Sequence, residues 1–295
     1  IYANGQLQAA GTADGVNGIG YTSSRIKVGE GFEGNLDEVS IWDRALTQAE
    51  LVQVHAFGQG SEQHQLRNQY LNTFVTPCAR ELMRAPSSSD GTYQLAVGSG
   101  ASNVPLYCDM ANGGWTLLYR KDTQTSSLPY DLWTGAPVNE LDTAQLGRAP
   151  TGADYVSRLA KSAGYFNEYR VEVMQSGAVQ KSIVFAANGA SATSWFDSMR
   201  VKTSGWSDLP TQAGYERSGS GRHFSLLGVG RQQFLISSSA SESCWSGSGW
   251  LFLSGQGCTD WPGTGPIKIL YAPGETAVSD MTAMSAADGL LVFGR

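Results

Sequence analysis

The sequence predicts a β-rich α+β protein, and three observations carry that expectation. Glycine is abundant, at 36 of 295 residues, while charged residues make up only 16%, well under the usual ~25%. Eight Trp and twelve Tyr accompany frequent Ser and Thr, a composition of short strands, tight turns and surface aromatics. Several apolar runs are short and alternate with polar residues, the period-2 pattern of half-buried strands. Apolar content of 41% supports packed cores rather than global disorder, and the length holds two domains or one large one.

Residues 1–58 read as a first unit. Ile1-Tyr2-Ala3-Asn4-Gly5-Gln6-Leu7 reads as a hairpin, because Asn-Gly supplies the positive φ angles of a type I′ turn. Arg25-Ile26-Lys27-Val28-Gly29 alternates as a strand, and residues 32–46 read as a strand ending in a turn. Thr47-Gln48-Ala49-Glu50 is a capping box that opens a helix, with Leu51, Val54 and Phe57 on one face and Gly58 to end it. Residues 59–75 are polar, with Leu66, Tyr70, Leu71 and Phe74 interspersed, and read as a short amphipathic linker helix.

Residues 76–295 form the second unit. Glu168-Tyr169-Arg170-Val171-Glu172-Val173 alternates as a strand, and residues 182–186 form an apolar strand. Residues 151–161 read as a helix with Tyr155, Val156 and Leu159 on one face. The Ser-rich run at 237–243 reads as a surface loop. No internal repeat and no long low-complexity tract is present.

Charge narrows the partners. The formal net charge is −6, and no run of basic residues occurs, so nucleic acid is not the expected partner. No stretch of 18 apolar residues occurs in the sequence, so no membrane-spanning helix is expected. The chain starts at Ile1 with no initiating Met and no signal peptide, so an upstream segment is expected to have been cleaved or to be missing. The four Cys are Cys78, Cys108, Cys244 and Cys258, which allow three disulfide connectivities. A zinc site would favour close CxxC pairs, and none is present.

Two segments resemble known families. Phe32-Glu33-Gly34-Asn35-Leu36-Asp37-Glu38-Val39-Ser40-Ile41-Trp42-Asp43-Arg44-Ala45-Leu46, with the helix that follows, resembles the C-terminal part of a laminin-G-like, concanavalin-type jelly roll. Residues 1–58 supply only part of such a domain. Half a sandwich leaves one sheet face bare and its edges unpaired, so an upstream half or another chain is expected to complete it. The second resemblance is denser. Pro105-Leu106-Tyr107-Cys108-Asp109-Met110-Ala111-Asn112-Gly113-Gly114-Trp115-Thr116-Leu117-Leu118 resembles the "VYCDM…GGGWTL" signature of fibrinogen-like domains. Cys78-Ala79-Arg80-Glu81-Leu82 and the strand after Asp90 match the family's upstream pattern.

That second resemblance implies local bridges, Cys78 with Cys108 and Cys244 with Cys258. Each would add roughly 3–4 kcal/mol in the chain-entropy account and imply an oxidising compartment. It also implies a ligand site around the second bridge. Cys258-Thr259-Asp260-Trp261 and the C-terminal Ala286-Ala287-Asp288-Gly289-Leu290-Leu291-Val292-Phe293-Gly294-Arg295 are similar to the intelectin branch, whose members are calcium-dependent lectins. Asp260 matches an Asp that ligates calcium there, and Glu242 falls near a second acidic ligand. Ser243 replaces that branch's His, and Leu251-Phe252-Leu253-Ser254 carry no Glu. Calcium takes six to eight oxygens, so Asp260 has two readings, a calcium ligand or a solvated loop residue.

Trp245, Trp261 and Tyr271 are the expected ligand-binding aromatics, since aromatic faces stack on apolar sugar faces; packing is the other reading for each. Trp250, after Gly-Ser-Gly, is expected in the core. The three His are far apart in sequence, and no HExxH, GxSxG or P-loop occurs. Nothing marks a carboxylate pair for glycoside hydrolysis, and no enzyme activity is expected. The expectation is a secreted carbohydrate-binding or adhesion protein that recognises surface glycans or glycoproteins. The alternative is a structural subunit of an extracellular filament or appendage, acting through protein–protein contacts.

Overall fold

The computed structural model describes Tyr2, Ala3, Gln6 and Leu7, and residues 76–97, 103–161, 165–209, 223–229, 231–238, 244, 247–255, 257–258 and 260–295. The chain divides into two units, Ile1–Leu71 and Asn72–Arg295. In the first, β1 (Tyr2–Ala3) pairs antiparallel with β2 (Gln6–Leu7), Tyr2 opposite Leu7. This is the hairpin expected of Asn4-Gly5. The strands expected at 25–29 and 32–46, the helix from Thr47 and the linker helix at 59–75 lie outside the described residues.

The second unit is built of antiparallel sheets. The larger sheet contains β3 (Gly91–Ala96), β4 (Asn103–Asp109), β5 (Trp115–Asp122), β6 (Tyr155–Val156), β7 (Glu168–Gln175), β8 (Ala178–Ala186), β9 (Val201–Ser204) and β15 (Gly289–Gly294). Its order is β3-β4-β5-β15-β7-β8-β9, with β6 added along β5. The smaller sheet runs β10 (His223–Ser225), β11 (Gln232–Ser237), β12 (Gly249–Ser254), β13 (Ile269–Tyr271) and β14 (Ser285–Ala287). The C-terminal strand β15 sits between β5 and β7 and is buried along its whole length, which explains its nearly unbroken apolar run. Helices α1 (Pro77–Arg84) and α2 (Pro129–Thr134) both begin on Pro, whose fixed φ and missing N–H suit a first helical turn.

Side-chain alternation sorts the core into layers. The main core lies between the sheets. There Val171, Ile183, Val292 and Leu290 meet Ile236, Leu251, Leu253 and Ile269. Aromatics fill it: Tyr119 stacks on Phe234 at 5.6 Å, and Trp133 meets Tyr119 and Trp195 at 5.5 Å each. Buried indoles keep their N–H groups paired, Trp133 to the Ala192 carbonyl at 2.7 Å and Trp206 to the Ala272 carbonyl at 2.9 Å, as burial demands. A second cluster on the far side of the smaller sheet joins Leu235, Phe252 and Leu270 with Cys258, Trp261, Met281 and Met284. A third covers the far side of the larger sheet with Trp115, Leu117, Tyr155, Met174, Leu291 and Phe293.

Two local features follow from sequence. Cys78 on α1 is bonded to Cys108 at the end of β4, and this presses α1 against the β4–β5 turn. At Gly114, φ is +76° and a Cβ would lie 2.7 Å from the Ala79 Cα. Only glycine satisfies both the backbone angle and the helix approach, which accounts for Gly-Gly-Trp at this turn.

The helix expected over 151–161 does not form. The chain makes β6 and then a 3-10 turn over Arg158–Lys161. Tyr155 pairs with Arg120 and Val156 with Tyr119 on β5. The Asp154 carboxylate accepts from the Asp122 N–H at 2.9 Å, and the Glu140 carboxylate from the Arg158 N–H at 2.6 Å. These tertiary partners outweigh a helical spacing that only three apolar residues supported.

Candidate functional site

The Cys244–Cys258 bridge brackets β12, and both cysteines join the second cluster on the outer face of the smaller sheet. Cys258 is buried and Cys244 packs against the same second cluster. Trp261 anchors the segment: it is 2% exposed, sits against Phe252 and Leu270, and donates its indole N–H to the Cys244 carbonyl at 2.5 Å. Asp260 beside it is exposed, and so are residues 262–264. The loop therefore has a packed base and an open edge that carries one carboxylate.

Tyr271 does not belong to this edge. It is on β13 with Ile269, facing the main core, whereas Leu270 between them faces the second cluster. Trp261 and Tyr271 thus lie on opposite faces of the smaller sheet. The Tyr271 hydroxyl donates to the Gln175 side-chain carbonyl at 3.0 Å. Burial raises its pKa, against the opposing hydrogen bond with Ser285. Neither Trp261 nor Tyr271 presents an open ring face, so packing is their observed role. Trp245 and Glu242 lie outside the described residues. Trp250, expected in the core, is buried and donates its N–H to Asp208 at 2.7 Å.

The oxygen donors around Asp260 can be compared with the needs of calcium. Among the described residues no group of three His, Cys, Asp or Glu gathers as a metal set. Asp260 supplies one carboxylate, and a calcium site needs several more oxygens. The described donors alone do not make that set.

A second polar constellation lies on the far side of the larger sheet, and sequence reasoning missed it. Asp109 at the end of β4 is fully buried. It accepts from the Arg170 guanidinium, from Arg148 at 2.6 Å and from the Asn112 amide at 2.9 Å. Glu172 on β7 meets Arg170 at 2.9 Å and Arg148 at 3.2 Å. The Arg170 guanidinium also lies 4.7 Å from both the Trp115 and Phe293 rings, and Arg295 lies 4.5 Å from Trp115, within cation–π range. Burial alone would raise the Asp109 pKa, but the Arg170 and Asn112 hydrogen bonds hold it below the ordinary value. Glu172 is raised by burial, against the pull of Arg170 and Arg148.

Two cations and two carboxylates balance here, which is the economy of a buried structural network. Its signal was present in the sequence: Arg170 and Glu172 are two apart on a strand, so opposite charges share one face. No protein-family model matches the chain, and a search of curated proteins finds no match. Among the described residues no helix is long and apolar enough to cross a membrane. The two disulfides suit an oxidising compartment.

Proposed function

We propose that this chain is a secreted glycan-binding or adhesion protein whose second unit is fibrinogen-like. One observation carries the reading: the loop after Cys258 has a base fixed by a disulfide and by Trp261, and an edge exposing Asp260 and residues 262–264. A rigid base with a polar, accessible rim suits recognition of a polar ligand. The fibrinogen-like assignment is supported by the signature at 105–118, which spans β4, the glycine turn and β5. In the same reading residues 1–58 are the C-terminal part of a laminin-G-like sandwich completed by upstream sequence or another chain, and the protein performs no catalysis.

The test is a glycan array probed with the full chain, once in calcium and once in EDTA. Binding lost in EDTA supports a calcium-bridged ligand, and binding kept in EDTA supports direct contacts. No binding in either condition overturns the glycan reading and leaves an extracellular filament or appendage subunit as the better account.

A further inference from the structure

We propose that Lys121 is the tethered occupant of a monovalent-cation site built into the larger sheet, and that a free cation would fill the site once the side chain is cut back. Lys121 is completely buried at the end of β5. Five oxygens surround its Nζ. They are both Asp154 carboxylate oxygens at 3.0 and 3.2 Å, the Asp122 carbonyl at 2.9 Å, the Thr125 carbonyl at 3.2 Å, and the Thr125 hydroxyl. An ammonium has three N–H donors, so five acceptors are more than a lysine requires. The set is all oxygen and mixes carboxylate, carbonyl and hydroxyl, which is the donor chemistry of a hard cation.

Charge and distance choose the ion class. Among the described residues Asp154 supplies the one carboxylate hydrogen-bonded to the Nζ. The Asp122 carboxylate also acts on Lys121 through its charge, but its oxygens accept from the Gln124 N–H and the Gly152 N–H at 2.9 Å each. One coordinating carboxylate suits one positive charge. Four of the five contacts, at 2.9–3.2 Å, are those of an ammonium and exceed the about 2.3–2.6 Å that calcium takes. Burial pushes the Lys121 pKa below its ordinary value, against the pull of Asp154 and Asp122.

The cage also shapes a surface. Its turn, 122–125, holds Thr123 against the Asp288 carbonyl and meets the loop that follows Trp261. The Gln124 amide donates to the Thr264 hydroxyl at 3.1 Å, and a Cβ at Gly265 would lie 1.9 Å from the Thr123 carbonyl oxygen. The turn that encloses the Lys121 Nζ thus packs against Thr264 and Gly265. The cation proposal does not rest on the glycan reading, since its readout is thermal stability.

The test compares full-chain Lys121→Ala, Lys121→Met and wild type by thermal melting at matched ionic strength. The salts are chlorides of ammonium, methylammonium, potassium, calcium and tetramethylammonium, the last too large and without N–H donors. Ammonium, methylammonium or potassium is expected to raise the Tm of Lys121→Ala saturably, as site binding does. Wild type and Lys121→Met, whose side chains fill the space, should follow the tetramethylammonium control. A Lys121→Ala response equal to that control overturns the proposal, and a larger response to calcium overturns the monovalent assignment. If Lys121→Ala does not fold in plain buffer, refolding yield in each salt becomes the readout. Equal yields in ammonium and tetramethylammonium overturn the proposal.

Discussion

The two disulfides close regions of different construction. Cys78–Cys108 joins two completely buried sulfurs and fixes a helix to a strand beside a turn that only glycine fits. Every part of that arrangement serves packing. Cys244–Cys258 joins one buried and one half-buried Cys above the outer face of a sheet, and the chain beyond it turns outward at Asp260. A motif dense in Cys, Gly and Trp thus carries fold in one place, and in the other it holds a loop with an exposed rim.

Of the two bridges, the first should have the larger effect. Its loop spans 30 residues, so Cys78→Ser with Cys108→Ser should cost about 3.7 kcal/mol of unfolding free energy in urea. The double Ser variant at Cys244 and Cys258, closing 14 residues, should cost about 3 kcal/mol. Loop closure separates the two by only about 0.7 kcal/mol. A gap of several kcal/mol would show that native packing, not chain entropy, sets the worth of each bridge.

Gly114→Ala sharpens the first region without touching a sulfur. The left-handed backbone alone costs about 1–2 kcal/mol, and the 2.7 Å approach to Ala79 adds to it by pushing α1 away. A variant as stable as wild type would mean that α1 can shift freely despite its bridge.

Legibility followed the same divide. The hairpin at Asn4-Gly5 and the strand from Glu168 were readable because turn chemistry and two-residue alternation are local, and the strand from Gly91 was expected from the family resemblance. The segment 151–161 misled because Tyr155, Val156 and Leu159 satisfy a helical face and a strand equally well; Asp154 and Glu140 decided between them through partners far away in sequence. Tyr271 was readable in principle. It shares parity with Ile269, and parity on a strand fixes the face. The burial of Trp261 was not readable, since a loop aromatic carries no periodicity to say which side it packs on.

Acid should probe the ionic network beside the first bridge. Asp109 is held below its ordinary pKa of 3.8. It contributes stability that is present above that value and is lost as pH falls through its folded pKa. Glu172, raised above 4.5, works in the opposite sense: its contribution is present below 4.5 and is lost as pH rises through its folded pKa. Urea midpoints over roughly pH 3 to 7 should show the acid-side loss reduced in Asp109→Asn and the loss above 4.5 removed in Glu172→Gln. Unchanged profiles in both variants would show that neither carboxylate changes pKa on folding.

The smallest stability effect belongs to Asp260→Ala, and that makes it the sharpest reading of the second region. Asp260 is exposed where Asp109 is buried, so its removal leaves no uncompensated charge in a core. Trp261→Ala cannot replace this test. It empties a buried position and would cost about 3–5 kcal/mol, mixing lost packing with lost recognition. In the glycan reading, Asp260→Ala loses binding on the array by more than any shift in its melting accounts for. If calcium bridges the ligand, EDTA reproduces that loss in wild type. An Asp260→Ala chain that melts and binds like wild type would place any ligand contact elsewhere and make the outer loop as purely architectural as the first bridge.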